Sequence, residues 1–200
     1  LCIFLLTWDK GKLDPQRLIL VGIAIGMGFG AMSLYISLKM DANNFDAATI
    51  WMTGTIWNAN WYFVMVLIPL FLVLIPILYF KSHELDLFQL SEGTVIGLGV
   101  RIEKEKIILL LTSVALIATC VSVSGNIGFV GLMSPHIARR LVGLKHQFVL
   151  PISGGIGAIL VLIADLIAKT IVLPAELPVG IIIAIIGVPY FVYLLLRAKI

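Results

Sequence analysis

The sequence has few charged residues. They make up 12% of its 200 residues, whereas 60% are hydrophobic. A soluble domain is closer to about a quarter charged and roughly half apolar. A soluble fold of this length would lack the polar surface needed to cover its core. The shortage of charge therefore excludes an ordinary water-soluble domain and indicates a protein whose solvent is the lipid bilayer.

Cysteine is also scarce. Cys2 and Cys120 both lie in apolar runs, and neither spacing nor context suggests a disulfide, so we expect buried small side chains. The chain opens with LCIFLL, without an initiator Met and without a charged stretch before the apolar run. That pattern is not a signal peptide. We expect it to be the end of a helix, and the chain to be the C-terminal portion of a longer protein.

Motifs for chemistry are absent as well. The sequence contains no Walker motif, no zinc-ligand pattern and no Ser/His/Asp set. His136 and His146 lack companion ligands, so we expect them at a membrane interface, where either could cap a helix or meet a partner. The net charge of +3 comes without a basic run, which argues against nucleic-acid binding. We therefore expect no catalytic residue, no metal site and no cofactor.

Long apolar segments fill most of the chain. A helix needs about 20 apolar residues to cross the hydrocarbon core of a bilayer. Five segments approach that length, and a sixth, shorter one could cross as a broken helix packed against its neighbours. The predicted spans are 18–38, 61–80, 107–127, 128–140, 148–168 and 179–196. The fold class expected from this pattern is an all-α, polytopic membrane helical bundle.

The distribution of Lys and Arg favours six crossings with a cytoplasmic C-terminus. In that topology only Lys39 and Lys169 lie outside. The cytoplasmic segments hold the other basic residues, which are Lys10, Lys12, Arg17, Lys81, Arg101, Lys104, Lys106, Arg139, Arg140, Lys145, Arg197 and Lys199. Cytoplasmic loops of membrane proteins carry such an excess. If segment 128–140 did not cross, three of these basic residues would move outside and the bias would collapse. Three tryptophans in the outer loop suit the membrane interface: Trp51, Trp57 and Trp61.

Two features lie inside the predicted spans. Gly22, Gly26 and Gly30 recur every four residues, which is typical of a tight helix-packing seam in lipid. The alternative is that this face lines a pathway. Asp165 is a carboxylate well within a span, and Lys169 follows one turn later. A proton relay would need more titratable groups across the bilayer, so we favour structural pairing of these two residues.

The cytoplasmic loop 85–100 has the sequence LDLFQLSEGTVIGLGV and is too short and too polar to span. Its first part could form an apolar helix face. Ser91 could cap a second short helix, with Glu92 in a first turn that favours negative charge. Two short helices meeting at a sharp turn would protrude from the membrane. The alternative is an amphipathic connector lying on the lipid.

The residues also resemble a known family, the FecCD-type permease subunits of ABC importers for ferric siderophores, haem and vitamin B12. The resemblance covers nearly the whole chain. Its strongest parts are GNIGFVGLMSPHIARRLVG, LPISGGIGAILVLIAD and AELPVGIIIAIIGVPYFVYLLLR, and WMTGTIWNANW and LSEGTVIGLGV are similar to further family segments. It implies one permease domain over residues 1–200, with six helices of a ten-helix fold and the N-terminal helices missing.

The resemblance implies roles for several residues. Loop 85–100 would form two coupling helices that sit in a groove of a cytoplasmic ATPase. The residues expected there are Leu90, Ser91, Glu92, Gly93, Leu98 and Gly99. Ser91 and Val95 depart from the usual family pattern, which leaves the details of the turn open. Outside, Lys169 stands where the family usually has an Arg that docks a substrate-binding protein. The Gly22, Gly26 and Gly30 face would border a pathway between two permease subunits.

The leading hypothesis is therefore the membrane permease subunit of an ATP-driven importer for an iron–siderophore complex, and not an enzyme. It would act in the bacterial cytoplasmic membrane, in contact with lipid. Its expected partners are a second permease subunit (a homodimer or a heterodimer), ABC ATPase subunits and an extracytoplasmic substrate-binding protein. Haem or cobalamin import is the alternative within the family. An ion-coupled secondary transporter or an intramembrane enzyme would need several buried charged groups, and Asp165 alone is available.

Overall fold

The structure is a computed structural model that describes residues 8–9, 12–13, 15–57, 59–90, 92–97, 102–171 and 177–197. Most of the described residues are helical, so the predicted helical fold class is confirmed. The helices are α1 (Pro15–Ser37), α2 (Ala42–Met52), α3 (Trp61–Phe80), α4 (Ser82–Leu87), α5 (Glu92–Gly97), α6 (Ile102–Ser124), α7 (Val130–Val142), α8 (His146–Ile171) and α9 (Val179–Arg197). The sequence did not predict the short antiparallel ladder between β1 (Trp8–Asp9) and β2 (Lys12–Leu13).

A helix lies over each of the six predicted spans. The largest difference is at α6, which begins at Ile102 rather than at residue 107. In the part of the chain that the structure describes, four helices are long and apolar enough to cross a membrane: Gln16–Ser37, Trp61–Phe80, Ile102–Ser124 and His146–Ile171. Val179–Leu194 is a shorter apolar helix. Large apolar side chains point outward along these helices, for example Trp61 with 76% of its surface exposed. Such a surface suits lipid and neighbouring helices, and the protein is a multi-pass membrane protein.

The chain divides into two compact units, residues 1–49 and 50–200. The first holds the β1–β2 ladder, α1 and most of α2. The second holds the remaining helices, and its core forms where small residues of α8 meet β-branched residues of α9. Ala164 and Ala168 pack there against Val179, Ile182 and Ile183. Small side chains let two helices approach closely in lipid, which explains why alanines occupy this contact.

The second unit has two ends that can be told apart by their contacts. We call the end with Lys81, Asp86 and His146 the short-helix end, because α4 and α5 lie there. The opposite end, where residues 53–57 contact Ser124, is the junction end. The chain leaves the junction end at Gly125 and reaches the short-helix end at His146. Segment 125–146 therefore runs from one end of the unit to the other.

Helix α7 accounts for only part of the path between the two ends of the unit. Its 13 residues correspond to about 20 Å of helix. The non-helical stretch 125–129 adds length at about 3.3 Å per residue when extended. Gly143 then ends α7 with a φ of 81°, a conformation in which a side chain is unfavourable. Gly125 and Phe129 have positive φ values of 68° and 64°, so the stretch before α7 is bent rather than fully extended.

Cys120 is a correction to the sequence analysis. We expected both cysteines to be buried small residues, but Cys120 is a free thiol on the exposed surface of α6. Its apolar sequence context belongs to a surface that is itself apolar, so burial within the chain was the wrong inference. Cys2 lies outside the described residues.

Candidate partner-contact sites

The short-helix segment, residues 82–97, contains the two short helices expected from loop 85–100, although α4 begins earlier, at Ser82. Helix α5 begins at Glu92. Ser91, Leu98 and Gly99 lie outside the described residues. Leu90, in the turn between the helices, is 49% exposed, and a Cβ added at Gly93 meets no described atom within 4 Å. The turn and the start of α5 therefore present an open surface.

Val95 holds α5 in place. Only 1% of its surface is exposed, although Gly93 and Gly97 on the same helix are exposed. Helix α5 contacts α6, the long helix that follows it. A buried Val contributes about 1.5 to 3 kcal/mol relative to an exposed one. Burial of Val95 therefore stabilises a short helix that could not persist alone.

Lys81 links α4 to α6. Its Nζ lies 2.7 Å from Glu105 of α6 and 3.2 Å from Glu84 of α4. The hydrogen bond to Glu105, and secondarily the contacts with Glu84, raise the pKa of Lys81 above its ordinary value of 10.5. The ammonium group is therefore charged at neutral pH and joins two carboxylates from different helices.

Asp86 links α4 to α8. Its Oδ1 accepts a hydrogen bond of 3.0 Å from the backbone N–H of His146, the first residue of α8. The same oxygen lies 2.6 Å from Nδ1 of His146. Because a carboxylate only accepts, this distance assigns the proton to Nδ1. Gln89 Nε2 lies 3.4 Å from that nitrogen. The first N–H groups of a helix have no partner within it and favour negative charge, so Asp86 stabilises the start of α8.

The Asp86 contact predicts a pH-dependent stability. The backbone hydrogen bond from His146 is the main reason that the pKa of Asp86 lies below its ordinary value of 3.8. A lowered pKa in the folded state contributes stability above the unfolded value, and this is lost as the pH falls through the folded value. We expect Asp86→Asn to cost about 1 kcal/mol at neutral pH.

Thermal unfolding of the two proteins in detergent measures this difference. We expect it to persist at neutral pH and to shrink once the pH falls below 3.8. Asp46→Asn, at an exposed position in α2, serves as the control and should show no such trend. A difference between Asp86→Asn and the unaltered protein that stays constant to the lowest pH would contradict the assignment.

At the junction end, Lys169 is held by two groups. Its Nζ lies 2.6 Å from Oδ2 of Asp165, so the structure contains the pair that the spacing suggested. The same Nζ lies 5.4 Å from the centroid of the Trp57 ring, a distance suited to a cation–π contact. The side chain of Lys169 is 44% exposed and that of Asp165 is 15% exposed. Asp165 therefore orients a cation that remains exposed on the surface of the second unit.

The junction end is closed by backbone contacts between the segment 53–57 and the ends of two helices. The Thr55 N–H donates to the carbonyl of Ser124 at the end of α6 (2.8 Å). The Gly180 N–H, in the first turn of α9, donates to the carbonyl of Gly54 (3.1 Å). Helix ends leave such groups without partners inside the helix. The segment thus provides a hydrogen-bond partner for a backbone group at one end of each helix. This requires the backbones to approach each other closely, without side chains between them.

Glycine is required at two points of this junction. A Cβ at Gly180 would overlap the carbonyl oxygen of Thr53. A Cβ at Gly125 would overlap the carbonyl oxygen of Trp51, and Gly125 also has a φ of 68°. Both obstacles are backbone atoms, which cannot rotate away as the tip of a side chain can. The sequence segments WMTGTIWNANW and GNIGFVG therefore contact each other at Gly54 and Gly125.

The family can now be identified by comparison. A family model described as the FecCD transport family matches residues 1–197. The chain belongs to the FecCD transport family. Membership of a transport family sets it among membrane transport subunits rather than enzymes, as the sequence analysis expected.

Two relatives from Bacillus subtilis (strain 168) are permease proteins of iron uptake systems. This FecCD chain is 51% identical over 197 residues to the iron-uptake system permease protein FeuC. It is 45% identical over 197 residues to the iron(3+)-hydroxamate import system permease protein FhuG. Each alignment covers 98% of this chain, but only 59% of FeuC and 58% of FhuG. The chain thus spans less than two thirds of the length of these relatives.

A solved structure has the same fold as this FecCD chain. That structure shows the inward-facing conformation of a protein described as a metal-chelate type ABC transporter. The TM-score is 0.86 and the identity 31%, and the match covers 98% of this chain and 63% of that one. The chain therefore shares its fold with that ABC transporter.

The glycine stripe of this FecCD chain lies in the first unit, on α1. A Cβ added at Gly22, Gly26 or Gly30 meets no described atom of that unit within 4 Å. The face is therefore open within that unit, and both a tight helix-packing seam and a pathway lining remain predictions. Among the residues that the structure describes, no group of three or more His, Cys, Asp or Glu could hold a metal ion.

The sequence analysis missed the charged contacts of the short-helix end. It expected His146 to cap a helix or meet a partner, but it did not identify Asp86, which lies 60 positions earlier. Lys81 was considered only as one of the basic residues of the cytoplasmic segments, and Glu105 was not considered. No local spacing signals these pairs, because each joins residues on different helices.

Proposed function

We propose that this chain is the C-terminal part of the membrane permease subunit of an ATP-driven importer for an iron–siderophore complex. Membership of the FecCD family and the roles of FeuC and FhuG in iron uptake support this cargo class. The subunit would work as a dimer with a second permease subunit, and its central path would carry the complex across the bilayer. Segment 128–140 would cross the membrane, and the C-terminus would lie in the cytoplasm.

The observation that carries the proposal is the distribution of open contact groups over the two ends of the second unit. The short-helix end presents Leu90 and Gly93. The junction end presents the exposed cation of Lys169. The positive-inside rule puts the first end in the cytoplasm and the second outside. This arrangement gives an ATPase and a substrate-binding protein one surface each, on opposite sides of the membrane.

ATP-dependent uptake tests the proposal. The full-length protein, its ATPase and its substrate-binding protein are reconstituted in liposomes, and uptake of radiolabelled iron bound to a siderophore is measured. Haem and cobalamin are offered in parallel. We expect saturable siderophore uptake that stops without ATP. Uptake of haem or cobalamin alone would transfer the assignment to that branch of the family, and a complex that hydrolyses ATP without importing any of the three would refute it.

Lys169 provides a sharper test of the outer surface. Lys169→Glu removes the cation and adds a second carboxylate beside Asp165, so we expect binding of the substrate-binding protein to weaken about tenfold at low salt. The loss should shrink as salt rises, because exposed charges are screened over about 10 Å at 0.1 M salt. Lys169→Arg should preserve binding.

Lys39→Glu is the matched control, because it also removes an exposed cation next to an aromatic ring. Its Nζ lies 5.0 Å from the centroid of Tyr35. Surface plasmon resonance with the immobilised transporter gives both affinities. Equal losses for the two reversals would indicate a general effect of charge and would contradict a docking role for Lys169.

A further inference from the structure

The contacts of α4 carry an inference that rests on the proposed function and deepens it. Helix α4 has six residues and is tied at both of its ends to long helices. Lys81, immediately before it, reaches Glu105 of α6. Asp86, near its other end, reaches His146 of α8. The helix therefore has one charged connection to each of two helices, and it cannot shift without moving or breaking them.

The connection to α8 includes a contact with the backbone, whereas the connection to α6 joins only side chains. One oxygen of Asp86 contacts both the backbone N–H and the ring nitrogen of His146. The backbone contact fixes the end of the helix itself, whereas a contact with a flexible side-chain tip would fix only that tip. His146 is the first residue of α8, so a displacement of α4 would move the start of that helix with it.

Helix α8 connects the two ends of the unit. Its 26 residues correspond to about 39 Å. Its first residue contacts Asp86, and its last turn carries Lys169, which is paired with Asp165 of the same helix. One continuous helix therefore has the short-helix segment at one end and the exposed outer cation at the other. Coupling between distant sites can be carried by such a rigid element when both sites bias its position.

We propose that Asp86 is a positioning residue that couples the ATPase-facing segment to helix α8, so that events at the Lys169 end reach the ATPase through this helix. Asp86 does not contact the cargo or ATP in this role. It acts through His146, by making α4 and α8 move as one body. Docking of the substrate-binding protein would then change ATP hydrolysis only while the Asp86–His146 contact is intact.

The test measures three quantities on the assembled full-length complex: basal ATP hydrolysis, its stimulation by the loaded substrate-binding protein, and chelate imported per ATP. For Asp86→Ala we expect stimulation and import per ATP to fall about fivefold or more, a usual size for coupling between sites. Affinity for the substrate-binding protein should stay unchanged, and basal hydrolysis should fall much less than stimulation does. Asp86→Asn keeps an acceptor for the backbone N–H, so it should retain part of the stimulation.

His146→Ala separates the two contacts of Asp86, because it removes the ring and keeps the backbone N–H. We expect a smaller loss of stimulation than in Asp86→Ala. Asp46→Ala, at an exposed acidic position of α2, is the control and should behave as the unaltered complex. If Asp86→Ala does not assemble, Asp86→Asn and His146→Ala are compared alone.

Two results would overturn the inference. The first is stimulation within twofold of the unaltered complex in every Asp86 and His146 variant that assembles. The second is a parallel fall of basal hydrolysis, stimulation and import, which would reflect less folded complex rather than lost coupling. Failure of the proposed function is distinguishable from both, because then the unaltered complex itself would import no chelate.

Discussion

Gly180→Ala should destabilise the second unit strongly. The added Cβ would overlap the carbonyl oxygen of Thr53, and relief requires separating backbone segments that the Gly180 to Gly54 hydrogen bond holds together. Introducing atoms into a packed site costs about 1 to 3 kcal/mol, and more where the obstacle is backbone. For a chain of this size we expect the melting temperature in detergent to fall by about 5 to 10 °C.

Gly155→Ala is the matched control for this prediction. Gly155 also lies within a helix, α8, but a Cβ there meets no described atom within 4 Å. Replacing an unhindered helical Gly by Ala stabilises by roughly 0.5 to 1 kcal/mol, so its melting temperature should stay level or rise. A Gly180→Ala protein as stable as the Gly155→Ala protein would show that the junction does not need close backbone contact.

Gly93→Trp should abolish transport while leaving the membrane subunit folded. Gly93 is exposed, and a Cβ there meets no described atom of the chain. The indole would therefore project outward from the start of α5, into the space where we propose that the ATPase binds. Interfaces of this kind are packed closely, so a bulky residue at their centre is poorly tolerated. We expect ATP-driven uptake to fall more than about tenfold.

Leu144→Trp is the control, because it introduces the same indole side chain at another exposed position. Leu144 lies at the same end of the unit but outside the short-helix segment. Melting temperature, co-purification of the ATPase and uptake are measured for both variants. Loss of ATPase binding or of uptake in Gly93→Trp alone supports the contact role. Normal uptake by Gly93→Trp would contradict it, as would equal losses in the two variants.

The sequence predicted the helices well because the lipid environment imposes a local requirement. Each crossing helix satisfies its backbone internally and needs about 20 apolar residues, so α3 could be read directly as 61–80. Segment 128–140 was harder, since α7 has only 13 residues. The basic cluster at its C-terminal side, Arg139, Arg140 and Lys145, gave the prediction, and the structure shows segment 125–146 connecting opposite ends of the unit.

The residues of the proposed partner contacts were predicted only in part. Lys169 and Asp165 lie four residues apart on one helix, so their pairing follows from helical geometry alone. The turn around Leu90 and Gly93 was marked by its departure from the apolar pattern. The failed expectation was Cys120, because an apolar sequence neighbourhood does not distinguish a helix face turned to the core from one turned to lipid.

The sequence by itself thus determined the membrane setting, the helices, the short-helix segment and the pair of Asp165 with Lys169. All of these depend on composition or on spacings of a few residues. Only the tertiary structure decided that Asp86 meets His146 and that Gly54, Gly125 and Gly180 lie where backbones touch. Those contacts join residues far apart in the chain, and which of them meet depends on how several helices pack together. No local pattern of residues encodes that arrangement.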